Sequence, residues 1–243
     1  MSNSCFKFKQ FTIYHDKCAM KVGTDGVLLG AWAPVDDIKQ ILDVGTGTGL
    51  IALQLAQRNQ QARITAIEID EVAVEQAKEN IACSSWADRI EVVCNDFRYY
   101  QPEKKFDLIV SNPPYFIDAL KCPDEQRRMA RHTGRLNYEL LFCNSAYLLS
   151  EKGFVSIIIP VEVEKEVVDT AWNYNLYPHH RLHVYTKPGK PCRRVLITFG
   201  FLEKVCKEED LCIEIEHNRY TPEYIALTRD FYLKMGSMNK PEG

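Results

Sequence analysis

Short apolar runs rich in β-branched residues alternate with segments of helical periodicity from residue 41 onward. The runs predict buried strands, whereas a repeat of about 3.6 residues predicts helices with one apolar face. Because strands and helices alternate, crossover connections are required, and the pattern predicts an α/β fold with a doubly wound, mostly parallel sheet. The predicted strands are 41–44, 63–69, 89–94, 106–111 and 154–159, and the predicted helices are 48–58, 71–83, 137–149 and 161–174.

The pattern changes in the last third of the chain. Segments 181–185 and 194–201 flank the turn-rich sequence Lys-Pro-Gly-Lys-Pro at 187–191, which predicts an antiparallel hairpin at one edge of the sheet. The tail 222–235 carries Tyr224, Leu227, Phe231 and Met235 at helical spacing, which predicts a helix packed on the domain.

Composition narrows the class of protein. The 243 residues are enough for one large domain, and 46% hydrophobic with 26% charged residues excludes disorder and fibrous repeats. No apolar run reaches the ~18 residues of a membrane span, and the polar, basic start lacks a signal peptide, so we expect a cytoplasmic protein. Nine cysteines, an odd number with no C-x-x-C pair, predict reduced thiols in and around the core rather than disulfides or zinc ligands.

Polar residues follow the predicted strands where ligands bind in open parallel sheets, at the carboxyl ends. The first strand leads into a loop that begins at Asp43 and contains Gly45, Gly47 and Gly49, and such glycines allow a ligand to approach the backbone. Glu68 follows Gly49 by 19 residues, close to the ~20 expected for a carboxylate that binds ribose hydroxyls. Together these features predict an adenosine site.

The chemistry of this loop favours a cationic adenosine ligand. Leu50 replaces the third glycine of the dinucleotide pattern, and Asp43, Glu68, Asp70 and Asp96 are unsuited to a pyrophosphate. S-adenosylmethionine, with its sulfonium and ammonium groups, fits better. Asp96 would then accept the adenine amino hydrogens, with the backbone or ring of Phe97 nearby. Taken singly, each acid is as readily a helix cap or a solvated carboxylate.

The most specific motif is Asn112-Pro113-Pro114-Tyr115, after the fourth predicted strand. The prolines lack N–H groups and hold the backbone rigid, leaving its carbonyls free. The Asn112 side-chain oxygen and the Pro113 carbonyl can accept both hydrogens of a planar amino group while Tyr115 stacks on its ring. These hydrogen bonds make the nitrogen lone pair available to a methyl group, so all four residues are candidate catalytic residues. An ordinary Asn-Pro turn is the alternative.

The motifs from Asp43 to Leu50, at Glu68, at Asn95-Asp96 and from Asn112 to Tyr115 resemble class I S-adenosylmethionine-dependent methyltransferases that modify exocyclic or amide nitrogens. Segments 6–11, 15–26, 29–32 and 220–233 resemble the bacterial family that methylates N6 of adenine 37 in valine tRNA, and the resemblance extends from about residue 6 to 235.

The resemblance implies a Rossmann-like class I domain over 41–243, preceded by a segment, 1–40, that packs on the cofactor site as a lid. Lys21 and Thr24 would then join Asp43, Gly45, Gly47, Glu68, Asp96, Phe97 and Asn112 in cofactor binding. From the residues alone, Gly23 and Gly26 only flank a polar turn. S-adenosylmethionine would leave as S-adenosylhomocysteine and no metal is needed. The implied partner is the anticodon stem-loop of tRNA, not DNA or a membrane, with a monomer expected and a dimer as the alternative.

Charge is segregated along a chain whose formal net charge is only -3. Segments 121–135 and 181–194 are basic and 203–216 is acidic, so a polyanion has two possible docking sites. With RNA as partner, the predicted phosphate contacts are Lys121, Arg127, Arg128, Arg131, Arg193 and Arg194. Three nearby histidines, at 179, 180 and 183, lack metal-ligand spacing and predict a strand-edge or RNA-facing role.

Two other function classes compete. A protein glutamine N5-methyltransferase of the release-factor type shares the tetrad because an amide is also a planar NH2, but it carries a helical domain before the glycine loop, and only 42 residues precede Asp43. A DNA adenine methyltransferase would usually carry an additional target-reading domain. We expect that the 243 residues leave no room for one. A non-catalytic RNA-binding scaffold is disfavoured by the intact tetrad.

Overall fold

The described residues of the computed structural model are 4–18, 21–113, 137–217 and 219–235. Their strands are β1 (Cys5–Lys7), β2 (Thr12–Tyr14), β3 (Gln40–Val44), β4 (Arg63–Glu68), β5 (Ile90–Cys94), β6 (Phe106–Ser111), β7 (Leu149–Pro160), β8 (Tyr177–Tyr185), β9 (Cys192–Gly200), β10 (Lys207–Cys212), β11 (Glu214–Glu216) and β12 (Arg219–Tyr220). Their α-helices are α1 (Thr24–Trp32), α2 (Leu50–Arg58), α3 (Glu71–Ala82), α4 (Tyr138–Leu148), α5 (Glu164–Trp172) and α6 (Pro222–Thr228).

The large sheet has eight strands in the order β10-β8-β9-β7-β6-β3-β4-β5. Strands β3 to β7 run parallel, and β9 runs antiparallel to both β7 and β8. The predicted doubly wound sheet and its antiparallel hairpin are therefore confirmed. Each face has its own apolar core, because alternate side chains point in opposite directions. Ile41 packs with α1 and α2 on one face, and Leu42 packs with α4 and α5 on the other.

The sheet continues one strand beyond the predicted hairpin. β10 pairs in parallel with β8, from Lys207 beside His180 to Cys212 beside Tyr185. The sequence gives no apolar pattern here, because residues 207–210 are all charged and exposed. Charged side chains are typical of an edge strand, where they discourage pairing with another chain.

The N-terminal ribbon and the C-terminal tail pack against each other. β1 and β2 form an antiparallel pair, and Phe8 forms an isolated bridge with Tyr232. The predicted tail helix is shorter than expected, because α6 ends at Thr228 and Phe231 then turns into the core. The Phe11 ring meets Trp86 edge-on at 5.9 Å. The two ends of the described chain therefore close one side of the apolar core.

The segment from residue 24 to 32 is a helix rather than a polar turn, and α2 holds it in place. A Cβ on Gly30 would lie 2.3 Å from Oε1 of Gln54, so only glycine permits this approach. Gln54 donates to the carbonyl of Val27, and Arg58 donates to the carbonyls of Gly30 and Ala33. Residues 26–31 of α1 are all buried.

The eight cysteines among the described residues form no disulfide, and all are half-buried or exposed. They surround the core rather than fill it. No helix in the described part of the chain combines the length and apolar character of a bilayer span.

Candidate active site

Four of the predicted strand-end motifs meet at one edge of the sheet. β3 lies between β4 and β6, with Val44 beside both Ile67 and Ser111. β5 follows β4, with Cys94 beside Glu68. Because these strands are parallel, their carboxyl ends share this edge, and Asn112 emerges next to the glycine loop.

The glycine loop presents an open face. Gly45 and Gly47 have φ values of 72° and 56°, in the left-handed region that favours glycine. A Cβ at either position would meet nothing within 4 Å, so there is space for a ligand over the loop. The amides of Gly45 and Thr46 donate to the carbonyl of Ile67 at 2.9 and 3.1 Å, which ties the loop to the end of β4.

Glu68 is half-buried beside this loop. Its Oε2 accepts a hydrogen bond from the Gly47 amide at 3.0 Å, and its Oε1 accepts from the amides of Ile69 and Asp70 at 2.9 and 3.1 Å. The carboxylate is thus held in one orientation and retains acceptor capacity on Oε2. Asp70 accepts a hydrogen bond from the Val72 amide at 2.9 Å and so caps the start of α3. This is the helix-cap alternative stated for each acid in the sequence analysis.

Asp43 is fully buried at the end of β3. Its Oδ2 accepts from the Thr46 hydroxyl at 2.6 Å, and its Oδ1 is buried without a hydrogen-bond partner in the structure as described. Burial raises the pKa of this carboxyl to about 7, against the opposing effects of the Thr46 hydroxyl and the Ala52 backbone N–H. A buried carboxyl group at the end of β3, beside an open loop, suits a cationic ligand, so Asp43 and the loop fit S-adenosylmethionine.

Asp96 carries a partner that sequence reasoning missed. Its Oδ1 accepts from the Arg98 amide at 2.9 Å, and the Arg98 guanidinium binds both carboxylate oxygens. The hydrogen bonds from Arg98 hold the pKa of Asp96 below its usual range. Adenine recognition by the Asp96 side chain would therefore require Arg98 to yield part of this contact. The only sequence signal was the opposite charge two positions later.

Phe97 is buried, and its ring does not face the site. The ring is 5% exposed and lies in the apolar core beneath the sheet. Its carbonyl accepts from Asn144 Nδ2 at 2.8 Å, which fixes the loop after β5 to α4. The ring contact predicted for Phe97 is therefore not supported, and its carbonyl already has a partner in the protein.

The first half of the tetrad stands at the end of β6. Ser111 donates to the Val44 carbonyl at 2.9 Å, which joins the ends of β6 and β3. Asn112 is half-buried and Pro113 is buried. The predicted residues Pro114, Tyr115, Lys121, Arg127, Arg128 and Arg131 lie outside the described residues.

Two further predicted cofactor residues, Lys21 and Thr24, lie at or just before the start of α1, and the predicted RNA contacts Arg193 and Arg194 lie at the start of β9. Lys21 and Thr24 are exposed, and a Cβ on Gly26 would lie 3.1 Å from Cδ2 of Leu50, the first residue of α2. The start of α1 is therefore close to the glycine loop. Arg194, predicted to bind RNA, forms an ion pair with Asp25 at 2.9 Å.

His179, His180 and His183 lie on β8 and contact other groups of the protein. Contrary to the prediction, they are not on an edge strand, because β10 pairs with β8 and forms the edge of the sheet. His180 Nε2 contacts Glu209 at 2.5 Å and His183 Nε2 contacts Glu164 at 3.0 Å. His179 Nε2 lies 2.6 Å from the Leu202 carbonyl. Within the part of the chain that is described, no three His, Cys, Asp or Glu residues are grouped to hold a metal ion.

Comparisons with known proteins agree with this geometry. Residues 21–136 match the family model described as "Methyltransferase small domain". The chain is 56% identical over 238 residues to a Bacteroides fragilis protein named tRNA1(Val) (adenine(37)-N6)-methyltransferase, covering 97% of this chain and 100% of that one. A protein of the same name from Tolumonas auensis is 46% identical over 238 residues, covering 98% and 100%.

Solved structures share the fold. A crystal structure described as a predicted O-methyltransferase of Agrobacterium tumefaciens superposes with a TM-score of 0.66, at 19% identity, covering 85% of this chain and 96% of that one. The glycopeptide N-methyltransferase MtfA, solved with S-adenosylmethionine, has a TM-score of 0.53 at 13% identity, covering 75% and 90%. At these identities the likeness supports a class I methyltransferase fold and nothing finer.

Proposed function

Because the chain belongs to the family of tRNA1(Val) (adenine(37)-N6)-methyltransferases, we propose that it transfers a methyl group from S-adenosylmethionine to N6 of adenine 37 in valine tRNA. The observation that carries the proposal is the pairing of Val44 with Ser111. It sets Asn112 one strand, or ~5 Å, from the strand that enters the glycine loop. A methyl donor on the loop and an amino group at Asn112 would then be neighbours.

The cofactor, when bound, supplies a methyl group on a positively charged sulfur. Asp43 would provide a buried carboxyl group near this charge, and Glu68, whose Oε2 has free acceptor capacity, would accept hydrogen bonds from the ribose hydroxyls. Gly45 and Gly47 leave the space that the ligand occupies. Thr24, the first residue of α1, and Lys21, which precedes the helix, would cover the methionine end.

The tetrad prepares the nitrogen. The Asn112 side-chain oxygen and the Pro113 carbonyl accept the two amino hydrogens and draw the conjugated nitrogen toward tetrahedral geometry. Pro114, which by its ring fixes its own φ, would add to this rigidity, and Tyr115 would stack on the adenine ring. No base is required at the start, because the amino proton becomes acidic only as the new C–N bond forms, and it then leaves to water.

Basic side chains would contact the RNA. Arg193, exposed at the start of β9, lies at the same edge of the sheet as Asn112, and Lys121, Arg127, Arg128 and Arg131 follow the tetrad in sequence. Their contacts to phosphates would position the anticodon stem-loop without reading its sequence. We further propose that the enzyme acts as a monomer in the cytoplasm.

The test uses three substrates with radiolabelled S-adenosylmethionine. They are a valine tRNA transcript, the same transcript with guanosine at position 37, and a release-factor peptide that carries a glutamine. We expect label only in the first, recovered as N6-methyladenosine after digestion. Label in the peptide, or equal label in the guanosine transcript, would contradict the proposal. The relatives' names do not favour the glutamine alternative.

A further inference from the structure

An ion pair joins two parts of the chain that are 169 residues apart. Arg194 Nε donates to Asp25 Oδ2 at 2.9 Å. The two side chains are 28% and 23% exposed, so the pair is shielded from water more than most surface pairs are. Such shielded, charge-assisted contacts are stronger than exposed ones and fix the groups that make them.

The ion pair lies at the carboxyl ends of the parallel strands, where the reaction would occur. Arg194 stands beside Pro160, the last residue of β7, because β9 is antiparallel to β7 and begins at this edge. Asp25 is in the first turn of α1, one residue before Gly26, which contacts Leu50, the residue that follows the glycine loop at the start of α2. β6, which ends before Asn112, lies between β7 and β3 in the sheet. The ion pair thus links the hairpin to the cofactor side across the end of β6.

The start of α1 lacks the usual local anchor. Its N-cap residue is Gly23, which provides no side-chain hydrogen bond to the first turn. Thr24 lies within the helix and is exposed. The ion pair with Arg194 supplies a fixed point that the local sequence does not.

We infer that Arg194 is a positioning residue for the cofactor. Through Asp25 it holds the first turn of α1, with Lys21 and Thr24, against the glycine loop. This inference rests on the proposed binding of S-adenosylmethionine at that loop. It also gives Arg194 a different role from Arg193, which is exposed and forms no ion pair among the described residues.

The experiment is a double-mutant cycle with the full-length protein. Calorimetric titration gives the S-adenosylmethionine dissociation constants of Asp25→Asn, Arg194→Gln and the double variant. We expect each single change to weaken binding about tenfold, the scale of one lost hydrogen bond between charged groups. The double variant should be no weaker than either single one, and Arg194→Lys should recover part of the loss. The salt dependence of tRNA binding should stay unchanged in all of them.

The matched control is Glu208→Gln on β10, which removes one of the two ion-pair partners of Arg181 on β8, at the same distance of 2.9 Å, and leaves the other partner, Glu164, in place. We expect wild-type cofactor affinity from it. Additive losses in the cycle would overturn the inference, as would a lower melting temperature with unchanged cofactor affinity. An Arg194→Gln variant that loses only tRNA affinity would instead make Arg194 an RNA contact. A wild-type protein that binds cofactor but methylates no tRNA would refute the proposed function and leave the cycle informative.

Discussion

The backbone amide of Gly47 donates a hydrogen bond to Oε2 of Glu68 at 3.0 Å, although the two residues are 21 positions apart. This contact joins the glycine loop after β3 to the end of β4. It means that the carboxylate proposed to bind the ribose also supports the loop over which the ligand would lie. The two sequence motifs therefore form one structural unit.

Glu68→Ala should weaken S-adenosylmethionine binding by about 1.5 to 3 kcal/mol, because charged hydrogen bonds to the ribose are lost. We expect the variant to stay folded, since Ile69 and Asp70 are exposed and water can reach their amides. Calorimetric titration measures the affinity. Glu75→Ala, an exposed acid on α3, is the control and should bind normally. Unchanged affinity in a folded Glu68→Ala protein would remove the proposed role.

Asp43 should give the free protein a distinctive dependence of stability on pH. Its folded pKa, about 7, lies above the ordinary value of 3.8, so between these values the native state binds more protons than the unfolded state. Stability therefore falls as pH rises from about 4 to 7 and is level above that range. Asn at this position still accepts from the Thr46 hydroxyl but cannot ionise. Asp43→Asn should be the more stable protein at pH 8, by up to about 4 kcal/mol for a shift of this size.

Thermal unfolding of both proteins from pH 4 to pH 8.5, without cofactor, measures the difference. The gap should open between pH 4 and 7, and the variant should bind S-adenosylmethionine more weakly than the wild type. Parallel curves across the range would show that the Asp43 carboxyl titrates normally.

Asn112→Ala should lower kcat far more than it raises the Michaelis constant for tRNA. The side-chain oxygen is proposed to act on the amino group in the transition state, so its loss leaves ground-state binding nearly intact. Tyr115→Ala should change both constants, because stacking worth about 1 to 3 kcal/mol is also present before reaction. Steady-state kinetics on the valine transcript separate the two patterns. Full turnover by Asn112→Ala would rule out the mechanism.

The mostly parallel sheet was predictable from the alternation of strands and helices, and the strand-end residues were predictable because parallel strands must present their carboxyl ends together. The glycine loop, Glu68 and Asn112 were found in this way. Asp25 with Arg194 was not, because that ion pair depends on how α1 and β9 pack across 169 residues. Strand β10 was not predicted because an edge strand can consist of charged residues and needs no apolar pattern. The pairing of Arg98 with Asp96 was missed because an opposite charge two positions away does not by itself indicate an ion pair.

The tip of the β8–β9 hairpin should contribute to RNA binding through charge and position. Ser111 is level with Ile157, Ile197 and Arg181 across neighbouring strands. Tyr185 is four residues beyond Arg181, so the tip rises ~13 Å above that level, about three strands, or ~14 Å, to one side of β6. An open cavity of about 630 Å³ at the tip is lined by Tyr185, Lys187, Pro188, Gly189, Lys190, Pro191 and Cys212.

Lys190 and Arg193 are the tip cations best placed for phosphates, because both are exposed, whereas Lys187 contacts Glu214 at 3.3 Å. Replacing both with Ala should weaken binding of the valine transcript and flatten its salt dependence by roughly 0.7 to 0.9 log units per decade of salt for each lost contact. Cofactor affinity should not change, since neither side chain is proposed to touch the glycine loop. Filter binding at several salt concentrations measures both quantities.

The control for the Lys190/Arg193 double variant replaces two exposed lysines with Ala at the amino ends of the parallel strands. They are Lys39, before β3, and Lys152, near the start of β7. It removes the same net charge, so a general loss of attraction between protein and RNA would lower binding equally in both double variants. Only direct contact at the tip makes Lys190→Ala/Arg193→Ala the weaker binder with the smaller slope. Equal affinities and equal salt slopes for the two double variants would mean that the hairpin tip attracts RNA only through its net charge. In that case neither Lys190 nor Arg193 would contact a phosphate.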